Sequence, residues 1–116
     1  MTRAPRETFE HHLQAIAAAD LDEIVADYSD DAIVITPDGV QRGKDGVRQA
    51  FTELLDTVPD ADWDVPTQIF ADDILFIEWT ADSEKNAIDD GADTFVFDQE
   101  GQIRVQTLRY TSRPKS

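Results

Sequence analysis

The chain has 116 residues, 41% of them hydrophobic, with two tryptophans and six phenylalanines; that is enough apolar material for one globular core and too much for a wholly disordered chain. Its net charge is −15, from 25 acidic residues against ten basic ones. With no cluster of Lys or Arg to meet phosphates, nucleic-acid binding is disfavoured, and the absence of cysteine excludes disulfides and thiolate chemistry. Eighteen of the acids are Asp and only three of the cations are Lys. Short carboxylates with few lysines fit a cytoplasm kept at high ionic strength, as in salt-loving microbes, where salt screens the self-repulsion. The first residues, MTRAPRETFEHH, hold no apolar run of the signal-peptide kind, and no stretch is long and apolar enough to span a membrane. The expectation is a soluble cytoplasmic domain over residues 1–116.

In chain order, Phe9, Leu13 and Ile16 recur at spacings of four and three and predict a helix over 5–19, with His12 on the flank of the stripe and His11 on the polar side. Asp20 and Glu23 form a capping box that opens a second helix over 21–29, with Leu21, Ile24, Val25 and Tyr28 facing inward. AIVITP, 32–37, is a strand; Pro37-Asp38-Gly39 turns it, and 40–42 return beside it. GKDGVRQAFTELLDTV, 43–58, is a third helix with Val47, Phe51, Leu54 and Val58 on one face, stopped by Pro59. The period then changes to two, with strands at 62–71, 73–80, 91–98 and 102–112; DSEKNAIDDG is a polar link with room for further strand. Helices first and antiparallel strands after make an α+β fold, helices packed on one face of the sheet.

Several words along the chain resemble one family. AIAAADLDEIVADYSDDAIVITPDGVQRGKDGVRQAF and the closing DTFVFDQEGQIRVQTLRY are similar to the nuclear-transport-factor-2-like superfamily, in its SnoaL-like and ketosteroid-isomerase-like branches. The resemblance implies a cone: a strongly curved antiparallel (mixed) sheet wrapped around three N-terminal helices, with an apolar pocket at the open end. It also implies a homodimer through the outer sheet face. In the ketosteroid-isomerase branch an Asp just before the Pro of the first strand is the base, and here that position is Thr36. The oxyanion-stabilising Tyr of the first helix aligns with His12, and the buried Asp before the F-x-F strand aligns with Asp93. One of the three residues is retained, so steroid isomerisation by that mechanism is not expected.

The residues themselves point to the same place. In GADTFVFD, alternation puts Asp93, Phe95 and Phe97 on one face, and two aromatic neighbours would desolvate the carboxylate and raise its pKa. Glu78 is a second candidate acid. If Leu75, Ile77 and Trp79 pack outward, Phe76, Glu78 and Thr80 face the pocket; the opposite register puts Glu78 outside. His12 is a candidate proton carrier bonded to Asp93 or Glu78. Tyr28, Thr36, Trp63, Phe95, Gln106, Leu108 and Tyr110 are candidate ligand-binding residues, and Gln106, polar among apolar neighbours, needs a protein or ligand partner. Asp60, Asp62 and Asp64 imitate the start of a calcium loop, but Val65 and Ala71 stand where Gly and Glu are needed, so no metal is expected. The function read from this pattern is a small hydrophobic-ligand-binding protein that needs no cofactor. The alternative is a cofactor-independent isomerase, cyclase or hydratase of a small carbonyl compound, with Asp93 or Glu78 and His12 as acid/base groups.

Overall fold

Helix α1, Pro5–Ala17, starts with proline at its first position and with Glu7 Oε1 accepting from the Ala4 amide at 3.0 Å. The computed structural model describes residues 2–115. The buried face of α1 runs through Thr8, Phe9, His12 and Ala15, so His12 lies at its centre and not on its flank; Leu13 and Ile16 are half-buried. The helix closes two residues earlier than its apolar spacing predicts. The Asp20 amide donates to the Ala15 carbonyl and the Ala19 amide to that of Ile16, with Ala19 in the left-handed region at φ 54°. Asp20 then caps α2, Leu21–Ala26, accepting from the Glu23 amide at 3.3 Å.

Helix α2 is shorter than the predicted 21–29, because Asp27 and Tyr28 are claimed by other partners. Tyr28 pairs with Ile103 and opens strand β1, Tyr28–Thr36. Strand β2, Gly39–Arg42, returns antiparallel to β1, and α3, Gly43–Thr57, follows with Val47, Ala50, Phe51 and Leu54 buried. Next come β3 (Asp62–Ala71), β4 (Ile74–Asp82), β5 (Asn86–Phe97), β6 (Ile103–Arg109) and β7 (Ser112–Pro114). The polar link after β4 is a tight turn. The Ser83 hydroxyl donates to the Asn86 carbonyl and accepts from the Asn86 amide, and β5 starts there with Ala87 and Ile88 buried.

The seven strands form one curved sheet in the order β2-β1-β6-β5-β4-β3, with β7 on the first half of β5. All pairings are antiparallel except β1 with β6. The three helices cover the concave face. From the sheet Leu75, Ile77, Trp79, Phe95, Phe97, Ile103 and Leu108 point into the core, and Phe9, Ile24, Phe51 and Leu54 meet them from the helices. Each such side chain contributes roughly 1.5–3 kcal/mol when fully buried. This is the α+β layout expected from the pattern of the chain, curved into the cone that the resemblance implies, with β5 longer, and β6 shorter, than the alternation predicted. No helix among the described residues is long and apolar enough to cross a membrane.

Candidate functional site

The register of β4 decides what faces inward. Trp79 pairs with Gly91 across β4 and β5, and its indole lies flat over the bare glycine backbone, where a methyl group would come within 2.2 Å of the ring. Only glycine accommodates a ring so close. With Trp79 inside, alternation turns Glu78 outward. Glu78 is exposed, accepts from the Thr67 hydroxyl at 2.8 Å on the outer sheet surface, and does not reach the pocket. The inward alternative for Glu78 is therefore corrected.

A cavity of about 390 Å³ lies between α1, α3 and strands β3–β5. Its walls are apolar, with Phe9 and Ile16 from α1, Phe51 from α3, Trp63 from β3, Ile77 from β4 and Phe95 from β5. Asp64 and Gln68 lie on its exposed side; the buried polar groups that line it are His12 and Asp93.

Asp93 is only 5% exposed. The Trp79 indole N–H donates to Oδ1 and the Gln106 amide to Oδ2, each at 2.9 Å. No cation among the described residues pairs with it. Burial pushes its pKa up to about 7, against the opposing pull of the Trp79 and Gln106 donors and the Arg109 backbone. Behind it, the buried Tyr28 hydroxyl donates to Gln106 Oε1, which fixes the orientation of the Gln106 amide. Tyr28 and Gln106, expected to touch a ligand, are thus a layer behind the cavity wall that orients Asp93. Burial raises the Tyr28 pKa well above its ordinary value, so the phenol stays a neutral donor.

His12 is ringed by Phe9, Tyr28, Phe51 and Phe95, with centroids 5.5–6.1 Å away. It bonds to neither Asp93 nor Glu78, contrary to expectation. Its Nδ1 is buried without a hydrogen-bond partner among the described residues, and the nearby acid is Asp27, with Oδ2 at 3.7 Å. His11, expected on the solvent side, is instead three-quarters buried as a side chain and holds Asp27 through Nδ1 at 2.7 and 2.9 Å. That bond raises the His11 pKa, with Glu23 at 3.3 Å from Nε2 adding to it against partial burial.

The predicted ligand-binding residues divide between two cavities. Trp63 and Phe95 line the first. Thr36, Leu108 and Tyr110 line a second of about 470 Å³, closed by the Pro37–Gln41 turn and the α3 residues Ala50 and Glu53. Aromatic rings tilted against one another stand between the two: Trp79 is 5.6 Å from Trp63 and 5.8 Å from Tyr110, centroid to centroid. One open cone mouth was expected. Among the described residues no group of three His, Asp or Glu side chains is placed to hold a metal.

Asp27 was missed as a buried group. It stands three residues after Ile24, at the spacing of the inner helix face, and that spacing was the available signal.

The sequence matches the SnoaL-like domain over residues 9–106. The chain belongs to the SnoaL-like family. Its fold is similar to a SnoaL-like protein of unknown function from Burkholderia thailandensis, 22% identical, with 96% of this chain and 98% of that one covered at a TM-score of 0.75. It is also similar to an NTF-2-like protein of unknown function from Burkholderia xenovorans, 20% identical, covering 97% and 85% at 0.77. A third similar structure is the epoxide hydrolase/cyclase-like enzyme SalBIII, described in pyran ring formation in the polyether salinomycin, 14% identical, covering 96% and 95% at 0.79. At these identities the likeness is one of fold. No curated protein sequence matches the chain.

Proposed function

We propose that the first cavity binds a small, largely apolar molecule with one carbonyl or hydroxyl group, and that Asp93 and His12 move a proton at that group without a cofactor. The carrying observation is a buried carboxylate with only neutral donors that shares an apolar cavity with a buried histidine, a setting in which burial pushes its pKa up to about 7. Near neutral pH such a carboxyl group is present in both forms and can serve as acid or base. An isomerisation or ring closure fits: the substrate gives one proton to one of the two groups and takes one from the other, so protons balance and no co-reactant is needed. The similarity to a cyclase-like enzyme adds an analogy of fold.

A second reading, binding without turnover, is favoured by two observations. Both Asp93 oxygens already receive protein donors, and Thr36 cannot act as a base. Small cyclic β,γ-unsaturated ketones in deuterated buffer separate the readings. Deuterium exchange beside the carbonyl, faster with the protein and lost in Asp93→Asn and His12→Gln, is expected. Saturable quenching of Trp63 and Trp79 fluorescence without exchange would favour binding alone.

The partner proposed for the outer face is a second copy of the chain. Ile69, 59% exposed, and Phe76, 37% exposed, pair across β3 and β4 on that face, and Ile74 is exposed beside them. Light scattering in high salt is expected to give the mass of a dimer, and Phe76→Lys to give that of a monomer. A monomer before substitution would contradict the proposal.

A further inference from the structure

Asp27 has no place in the proton transfer proposed above, yet it is as deeply buried as any residue in the core, with 0% of its side chain exposed. It stands at the C-terminal cap of α2, next to the paired histidines of α1. Arg3 Nη1 donates to Oδ1 at 3.2 Å, and His11 Nδ1 lies 2.7 Å from Oδ1 and 2.9 Å from Oδ2. An arginine and a histidine whose pKa it raises thus compensate one buried carboxylate, which accounts for its burial. They leave the side of Oδ2 that faces His12 Nδ1, 3.7 Å away. That nitrogen is the buried side-chain atom of His12 with no hydrogen-bond partner among the described residues.

A buried imidazole nitrogen is either an N–H that needs an acceptor or a lone pair that needs a donor. The polar atom facing Nδ1 is a carboxylate oxygen, which can only accept. A lone pair aimed at it would be repelled and unsatisfied; an N–H would be attracted, and a small ring rotation would close a hydrogen bond. We propose that Asp27 is the positioning residue of His12: it holds the proton on Nδ1 and leaves the Nε2 lone pair for the cavity. This rests on the reading of His12 as a proton carrier and gives it a direction, with His12 the acceptor and protonated Asp93 the donor. The pair His11 and His12 then has divided roles on one carboxylate. His11 compensates its charge from the side nearer solvent, and His12 takes its orientation from the buried side.

Ring-nitrogen NMR of ¹⁵N-histidine-labelled protein tests this without any substrate, so its failure is distinct from failure of the turnover assay. In the unsubstituted protein the His12 ring is expected to carry its proton on Nδ1, with a low-field, slowly exchanging N–H signal. In Asp27→Asn the new amide can donate to Nδ1, and the proton is expected to move to Nε2. In His11→Gln, which keeps Asp27 and Arg3, it is expected to stay on Nδ1, a result that a merely structural tie between α1 and α2 would not produce. A proton on Nε2 in the unsubstituted protein would overturn the proposal, as would an unchanged tautomer in folded Asp27→Asn. Should Asp27→Asn not fold, the unsubstituted protein and His11→Gln decide by the same signals.

Discussion

Asp27 and Asp93 are the same residue at nearly the same depth, 1% and 5% exposed, yet their surroundings differ in kind. Asp27 meets an arginine and a histidine. Asp93 meets an indole N–H and a carboxamide, both neutral. A carboxylate with cationic partners is compensated where it sits and ties elements together. One with only neutral donors keeps an uncompensated desolvation penalty, and its pKa rises to about 7. Burial alone therefore does not mark a chemical group. The charge of its donors separates the carboxylate that orients from the carboxylate that can react.

The largest test of this contrast is the pH dependence of stability. Asp93 has a folded pKa of about 7 against 3.8 when unperturbed. Between those values the folded state holds more protons than the unfolded one, so the stability from this group is complete below pH 3.8 and is lost as pH rises to about 7. At about 1.4 kcal/mol per pH unit the whole effect approaches ~4 kcal/mol. Chemical denaturation at pH 4 and pH 8 should show Asp93→Asn gaining on the unsubstituted protein by up to that amount. Parallel pH profiles would break the comparison.

Asp27→Ala should destabilise by about 2–3 kcal/mol, because it removes the shared acceptor of Arg3 and His11 from a buried position. Because the bond to Asp27 raises the His11 pKa, this loss should be larger at pH 4 than at pH 8, shrinking as pH rises through the His11 transition, and a urea titration at both pH values checks this. Gly91→Ala should cost about 1–3 kcal/mol by pushing the Trp79 indole away. With that donor withdrawn, the Asp93 pKa should rise further, readable by carboxyl NMR. The smallest effect serves as a control remote from both acids. Ala19→Gly relieves a left-handed residue at the end of α1 and should stabilise by about 0.5–1 kcal/mol, with neither carboxyl signal moving.

The parts of this molecule legible in its sequence are those set by local spacing. Alternation in GADTFVFD places Asp93, Phe95 and Phe97 inward, and so they are. The stripe of α1 puts His12 only on its flank, where the fold has it at the centre of the buried face, and the capping residues mark the start of α2. What was not legible depends on contacts between distant segments. ILFIEW is apolar on both faces, so its register follows from Trp79 finding Gly91 on the next strand. The same contact excludes Glu78 and, through Tyr110, divides the cone into two cavities. Gln106 needed a partner, but that both of its ends are taken by protein follows from β1 and β5 flanking β6. The spacing of Asp27 after Ile24 signals its burial, but its partners Arg3 and His11 are set only by the packing of α1.

The most direct measurement is a ¹³C NMR titration of the Asp93 carboxyl carbon, assigned by its loss in Asp93→Asn. A midpoint near pH 7 is the predicted result. A midpoint near 4, the ordinary value for an aspartate, would contradict the account, leaving Asp93 a hydrogen-bonded core residue with no proton to exchange at neutral pH.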